Sequence, residues 1–259
     1  MSRSNPTETS PNPCHKWLDW SGKNGNLKYY DKENKSNVSV PLPFTFVLLD
    51  VLSCIKGWHD ATESGIFSNE VRDTRAETFV VKSFGGREIA DGFYKDIKDR
   101  VKAAGGHFTG SIYIAFKDEG KLIMGNLNLK GAALFAWSDF QKANQGEIYK
   151  KAITITGSTE GKKGSVTFKV PTFGLIDLLP QTNEEATKLD EKFQQYLSGY
   201  FKRTRSEQVA HPPAVHPEDV NPDREAPYEP SLEEEFGEKG NAGVGTPEGD
   251  DIPFAANVL

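Results

Sequence analysis

His107-Phe-Thr-Gly-Ser-Ile-Tyr-Ile-Ala-Phe-Lys117 alternates in polarity, passes Asp118-Glu-Gly120, and resumes as Lys121-Leu-Ile-Met-Gly-Asn-Leu-Asn-Leu129. Alternation over this length predicts a strand with one buried face, because successive side chains of an extended chain point to opposite sides. Phe108, Ile112, Ile114 and Phe116 fall on one face, with His107, Thr109, Ser111 and Tyr113 on the other. A glycine-containing tripeptide between two such runs predicts a tight hairpin.

Just upstream the period changes. Ile89, Phe93, Ile97 and Val101 recur every four residues, flanked by Ala90, Tyr94 and Ala104, which predicts an amphipathic helix stopped by Gly105-Gly106. Before it, residues 78–84 predict a strand, and residues 57–69 a turn-rich stretch holding Trp58 and Phe67. Residues 37–42 and 44–56 continue the β pattern, and Trp17-Leu-Asp-Trp20 and Leu27-Lys-Tyr-Tyr30 flank a glycine-rich turn. Downstream, residues 132–143 predict a helix, and residues 152–156 and 165–170 two strands joined by a loop over 157–164. Thr182 and Asn183 are candidate caps of a last helix with Leu189, Phe193, Tyr196 and Tyr200 on one face. Strands, one helix and then a hairpin is the element order of an OB-fold. The expected class is therefore β-rich α+β: an OB-fold-like Greek-key barrel with added helices.

The net charge of −6 conceals an asymmetry. Residues 206–259 hold 13 acidic and two basic side chains and eight of the 15 prolines, a net of −11, which leaves +5 on the rest. Such a proline-rich acidic segment buries too little apolar surface to offset its ordering entropy. The expected organisation is a disordered arm over residues 1–15, one folded domain over 16–205 and a disordered acidic tail over 206–259. No apolar run is long enough for a membrane helix, and the polar N-terminus predicts no secretory signal. Cys14 and Cys54 suggest neither a disulfide framework nor, with His15 and His59, a compact zinc finger. No nucleotide-binding glycine loop, serine elbow or zinc-protease motif is present, and the carboxylates Asp50, Asp60, Glu63, Glu70 and Asp73 have no spacing that favours magnesium. A non-enzymatic protein without metal or cofactor is expected.

A mildly basic body rich in aromatics suits single-stranded nucleic acid, which needs cations along its phosphates and ring faces for its bases. The candidate contacts are Lys56, Trp58, Phe67, Lys82, Phe84, Arg87, Tyr113, Lys117, Lys162 and Lys163. Tyr113 enters as a stacking platform because alternation sets it opposite Ile112 and Ile114; Lys162 and Lys163 enter as a loop able to close over a strand. Trp17, Trp20 and Trp137 are expected in the core. The charged face of the helix through Lys95, Lys98, Arg100 and Lys102 is expected to face solvent.

Two resemblances follow from quoted residues. Glu248-Gly-Asp-Asp-Ile-Pro-Phe254 resembles the acidic tip of bacterial single-stranded DNA-binding proteins, which implies recruitment of replication, recombination and repair enzymes. Asp250 and Asp251 would meet basic patches, Ile252 and Phe254 an apolar pocket, and Pro253 would stiffen the peptide. That family ends on the phenylalanine, whereas Ala255-Ala-Asn-Val-Leu259 follows here, so the usual carboxylate contact is not expected. Trp20-Ser-Gly-Lys23 to Tyr29-Tyr-Asp-Lys32, Ile55-Lys-Gly57 and Ser68-Asn-Glu-Val71 are similar to bacteriophage-encoded single-stranded DNA-binding proteins. That likeness implies coating of single strands in a host bacterial cytoplasm, with a homo-oligomer as an option. The alternatives are a strand-annealing recombination protein and a non-catalytic phage structural or interaction protein.

Overall fold

Gly106–Asp118 (β8) and Lys121–Lys130 (β9) form the hairpin, pairing from Asp118↔Lys121 to Thr109↔Lys130. Its turn needs left-handed backbone at two positions, met by Glu119 (φ 48°) and Gly120 (φ 82°). The computed structural model describes residues 11–203 and 205–210. The tip residues Asp250, Asp251, Ile252, Pro253 and Phe254 lie outside them.

In chain order the other elements are β1 (Lys16–Ser21), β2 (Asn26–Asp31), β3 (Ser36–Val40), β4 (Phe44–His59), β5 (Ser64–Ser68), β6 (Phe79–Ser83) and β7 (Glu88–Gly92). Then come α1 (Tyr94–Ala103) before β8, and α2 (Gly131–Ala143), β10 (Ala152–Lys163), β11 (Val166–Ile176), α3 (Pro180–Phe201) and α4 (Arg205–Ala210) after β9. The chain is β-rich α+β. One mixed open sheet runs β3-β2-β1-β9-β8-β4-β5-β6-β7, with β1 parallel to β9 and the other neighbours antiparallel. β10 pairs with the first residues of β4 and continues with β11 as an arm.

Both faces of the sheet carry apolar side chains. The first holds Leu18, Leu27, Ile55, Ile66, Val81, Phe108, Ile112, Ile114 and Leu127, packed with α1 and α2. The second holds Val47, Leu49, Leu52, Tyr113, Ala115 and Met124, over which α3 lays Ala186, Phe193, Tyr196, Leu197 and Tyr200. Their spacing of three and four residues is the apolar stripe of an amphipathic helix. No described helix is long and apolar enough to cross a membrane.

Several sequence expectations change. Residues 57–69 are not mainly turn: β4 runs on to His59, a 3-10 turn covers Asp60–Thr62, and β5 follows. The four-residue stripe from Ile89 is part strand, since Ile89 and Ala90 belong to β7 and the helix begins at Tyr94. Residues 157–164 are largely ladder, because β10 and β11 pair with each other out to Lys163↔Val166. α3 starts at Pro180 with Leu179 as its uncapped lead-in, two residues before Thr182; proline suits a first turn, where no N–H partner is required. The domain edges also move outward. Cys14 is buried with its N–H donating to the Asn12 side chain, and α4 continues to Ala210 with Val209 buried.

Candidate nucleic-acid interface

Residues directly opposite in a ladder share a face. The pairs Lys56↔Phe67 and Phe67↔Lys82 therefore place three sequence candidates in one row across β4, β5 and β6. Lys56↔His107 extends the row to β8. Trp58 and Phe84 stand on the same face, two residues from Lys56 and Lys82, and the Phe84 ring lies 4.6 Å from that of Phe67. Lys56, Trp58, Phe67, Lys82 and Phe84 are all half-buried, and Arg87, in the β6–β7 turn, is exposed. The row lies on the second face of the sheet, beyond the part that α3 covers.

Local sequence explains why Trp58 stays accessible. Its antiparallel partner is Gly65, and on its other side its N–H donates to the Gly105 carbonyl at 3.3 Å. A Cβ on Gly105 would come within 2.2 Å of the Trp58 carbonyl oxygen, and its φ of +88° also favours glycine. Glycine neighbours leave no cross-strand side chain over the indole. Its Nε1 is itself buried and finds no acceptor among the described residues, so the accessible part of Trp58 is its ring and not its N–H.

Lys56 stands at the border with the covered part. Its ammonium donates to the Asn128 side-chain oxygen at 2.6 Å. Beyond it Glu70 is buried, accepting from the Tyr113 hydroxyl at 2.8 Å and from the Ser111 hydroxyl, which in turn accepts from Asn126 at 2.7 Å. The Tyr200 hydroxyl of α3 accepts the Glu70 N–H at 2.7 Å. Burial raises the Glu70 carboxyl above its ordinary value of 4.5, opposed by the two hydroxyl donors and the Lys56 charge. The His107 imidazole, partly desolvated and beside Lys130 and Lys102, is held down to about 4, so it is neutral at pH 7. Burial pushes the Cys54 thiol up to about 12 and the Cys14 thiol higher, as expected of thiols that are not nucleophiles.

Four candidates do not join the row. Tyr113 is fully buried: alternation sets it on the face opposite Ile112 as expected, but α3 covers that face, and the Phe193 ring packs at a tilt with its centroid 4.1 Å from that of Tyr113. It is a core residue and not a platform. Lys117 is ten residues along β8 from His107, about 33 Å at strand rise, on the far side of α3. Lys162 and Lys163 lie at the end of the β10–β11 arm, in strand and not in a closing loop. Trp20 and Trp137 are buried as expected, and Trp17 is half-buried. Sequence reading missed His107 and Asn128 as neighbours of Lys56, Lys130 two positions along β9 from Asn128, and Glu70 as a buried anchor. The only local signal was the polar alternation of Asn126 and Asn128 with Leu127 and Leu129.

Compared with protein-family models, with curated proteins and with solved structures, the chain gives no match in any of the three.

Proposed function

We propose that this chain is a sequence-independent single-stranded DNA-binding protein that coats unpaired DNA during phage replication and recombination. The observation that supports it best is the in-register row Lys56–Phe67–Lys82 with Trp58 and Phe84 beside it. Two cations at cross-strand spacing with half-exposed rings between them can meet a phosphate track and its bases together. Arg87 adds charge at the β6 end. Charge on phosphates and stacking on ring faces discriminate little between bases, which suits a sequence-independent role. The reading carries no catalytic group and needs no cofactor.

On this reading the β1-β9-β8-β4-β10-β11 portion is the OB-like part of the sheet. Two bonds draw β11 back toward β1: the Lys169 N–H donates to the Gly22 carbonyl at 2.6 Å, and the Trp20 indole donates to the Lys169 carbonyl at 2.9 Å. The acidic tail would recruit replication and recombination proteins through Asp250, Asp251, Ile252, Pro253 and Phe254, in a host bacterial cytoplasm.

Titration of tryptophan fluorescence with poly-dT tests the proposal. Saturable quenching that reverses with added salt, and that is lost in Trp58→Phe, is the expected result. Trp20 and Trp137 are too buried to report it, and Trp17 packs against the cluster that α3 covers. Absence of both quenching and of any change in the anisotropy of a labelled oligonucleotide at low salt would overturn the reading.

A further inference from the structure

The row does not end at Lys56 and His107. Thr109, two residues from His107 on the same face, pairs with Cys54 on one side and with Lys130 on the other. Two residues further along, Ser111 pairs with Asn128, Asn128 with Asp19 in the parallel register, Asp19 with Lys28, and Lys28 with Ser39. Tyr30, two residues from Lys28, shares that face and pairs with Asn37. Thr109, Ser111 and Asn128 are buried and set only the register, whereas Lys28, Tyr30, Asp19 and Lys130 are half-buried and His107 is exposed. One contact joins the parts: the Lys56 ammonium donates to the Asn128 side-chain oxygen.

Resting on the proposed function, we infer that the single strand crosses the sheet diagonally from β6 to β2, with Lys130, Lys28 and Tyr30 as a second set of contacts. The strands from β6 to β2 are seven consecutive neighbours. Six inter-strand spacings, with the diagonal offset, make a path of about 30 Å. At the stacked spacing of about 3.4 Å that is about nine nucleotides, and fewer for a stretched chain. The path has cations at both ends and the Phe67–Phe84 pair and Tyr30 as ring faces. Asp19, on β1 beside the β2 end, carries the wrong sign. It opposes the polyanion, which gives the inference a signature of opposite direction.

The experiment is anisotropy of labelled dT oligomers of three to fifteen nucleotides with the full chain at low salt. Affinity should climb with length to about nine and then flatten. Lys28→Glu combined with Lys130→Glu should weaken the fifteen-mer about tenfold while leaving a four-mer unchanged. Asp19→Asn should tighten the fifteen-mer about threefold, an outcome that a folding defect cannot mimic. Melting curves of the variants establish that each is folded. A plateau at four nucleotides, with all three substitutions neutral while Lys56→Glu and Lys82→Glu still abolish binding, overturns the extension and leaves the proposed function standing. No binding of any oligomer overturns both.

Discussion

Two parts of one sheet face, built from the same strands with the same two-residue period, have opposite fates. Under α3 the face is dry: Val47, Leu49, Leu52, Tyr113 and Met124 pack against Phe193, Tyr196 and Leu197. A few residues along β4 and β8 the helix has ended. There Lys56, Trp58, Phe67 and Lys82 remain half-buried. Alternation determines which way a side chain points, whereas exposure depends on what lies above it. Tyr113 and Phe67 are both aromatics on the same side of the sheet, and only the position of α3 makes one a core residue and the other a candidate platform.

The sharpest way to break this comparison is to truncate one ring in each part. Phe193→Ala removes a fully buried ring packed against Tyr113 and should cost about 3–5 kcal/mol in urea unfolding. Phe67→Ala, half-exposed, should cost about 1 kcal/mol or less. Its loss should fall instead on poly-dT affinity, about 1–3 kcal/mol, the worth of one stacked base. Equal destabilisation by the two, with DNA affinity untouched by Phe67→Ala, would erase the distinction.

What was legible in the sequence divides along the same line. The hairpin through Gly120, the pointing of Ile112 against Tyr113, and the face formed by Leu189, Phe193, Tyr196 and Tyr200 are local patterns, and they are present as read. Contacts that need two distant segments were not legible. Glu70 meets Ser111, Tyr113 and Tyr200, and nothing near residue 70 announces those partners. Adjacent aromatics mark Lys56 and Lys82 in the sequence, yet it is register across β5 that brings them together. Residues 157–164, in the outer half of the β10–β11 arm, read as a loop because they have little core to face; ladder hydrogen bonds hold them without an apolar pattern. The stripe from Ile89 failed differently. Ile89 faces the core from a strand and Ile97 from a helix, and their spacing imitated a single helix.

A smaller effect sharpens which cations belong to the open part. Each phosphate contact to a single strand contributes about 0.7 to the slope of log affinity against log salt. Lys82→Ala should lower the poly-dT slope by about that amount. Lys117→Ala and Lys163→Ala, at the far end of β8 and on the arm, should leave it unchanged. An equal reduction by all three would mean that charge is used diffusely and the row has no privileged role.

The smallest effect concerns the anchor between the two parts. Burial raises the folded-state Glu70 pKa above its ordinary 4.5, so over the window between the two values the folded protein holds a proton that the unfolded chain has released. Stability contributed by this group is therefore fully present below pH 4.5 and is lost as pH rises through the folded value. Glu70→Gln has no such proton to hold, while its amide can still pair with the Ser111 and Tyr113 hydroxyls. The difference in unfolding free energy between the wild type and Glu70→Gln should thus shift with pH in that window, the wild type losing ground as pH increases. Lys56 acts in the opposite sense, since its ammonium favours the charged carboxylate. Lys56→Met should widen the window upward, and the same substitution should weaken DNA binding. A variant that changed binding but left this pH dependence unmoved would separate the open row from the covered network and show that Lys56 serves only the first.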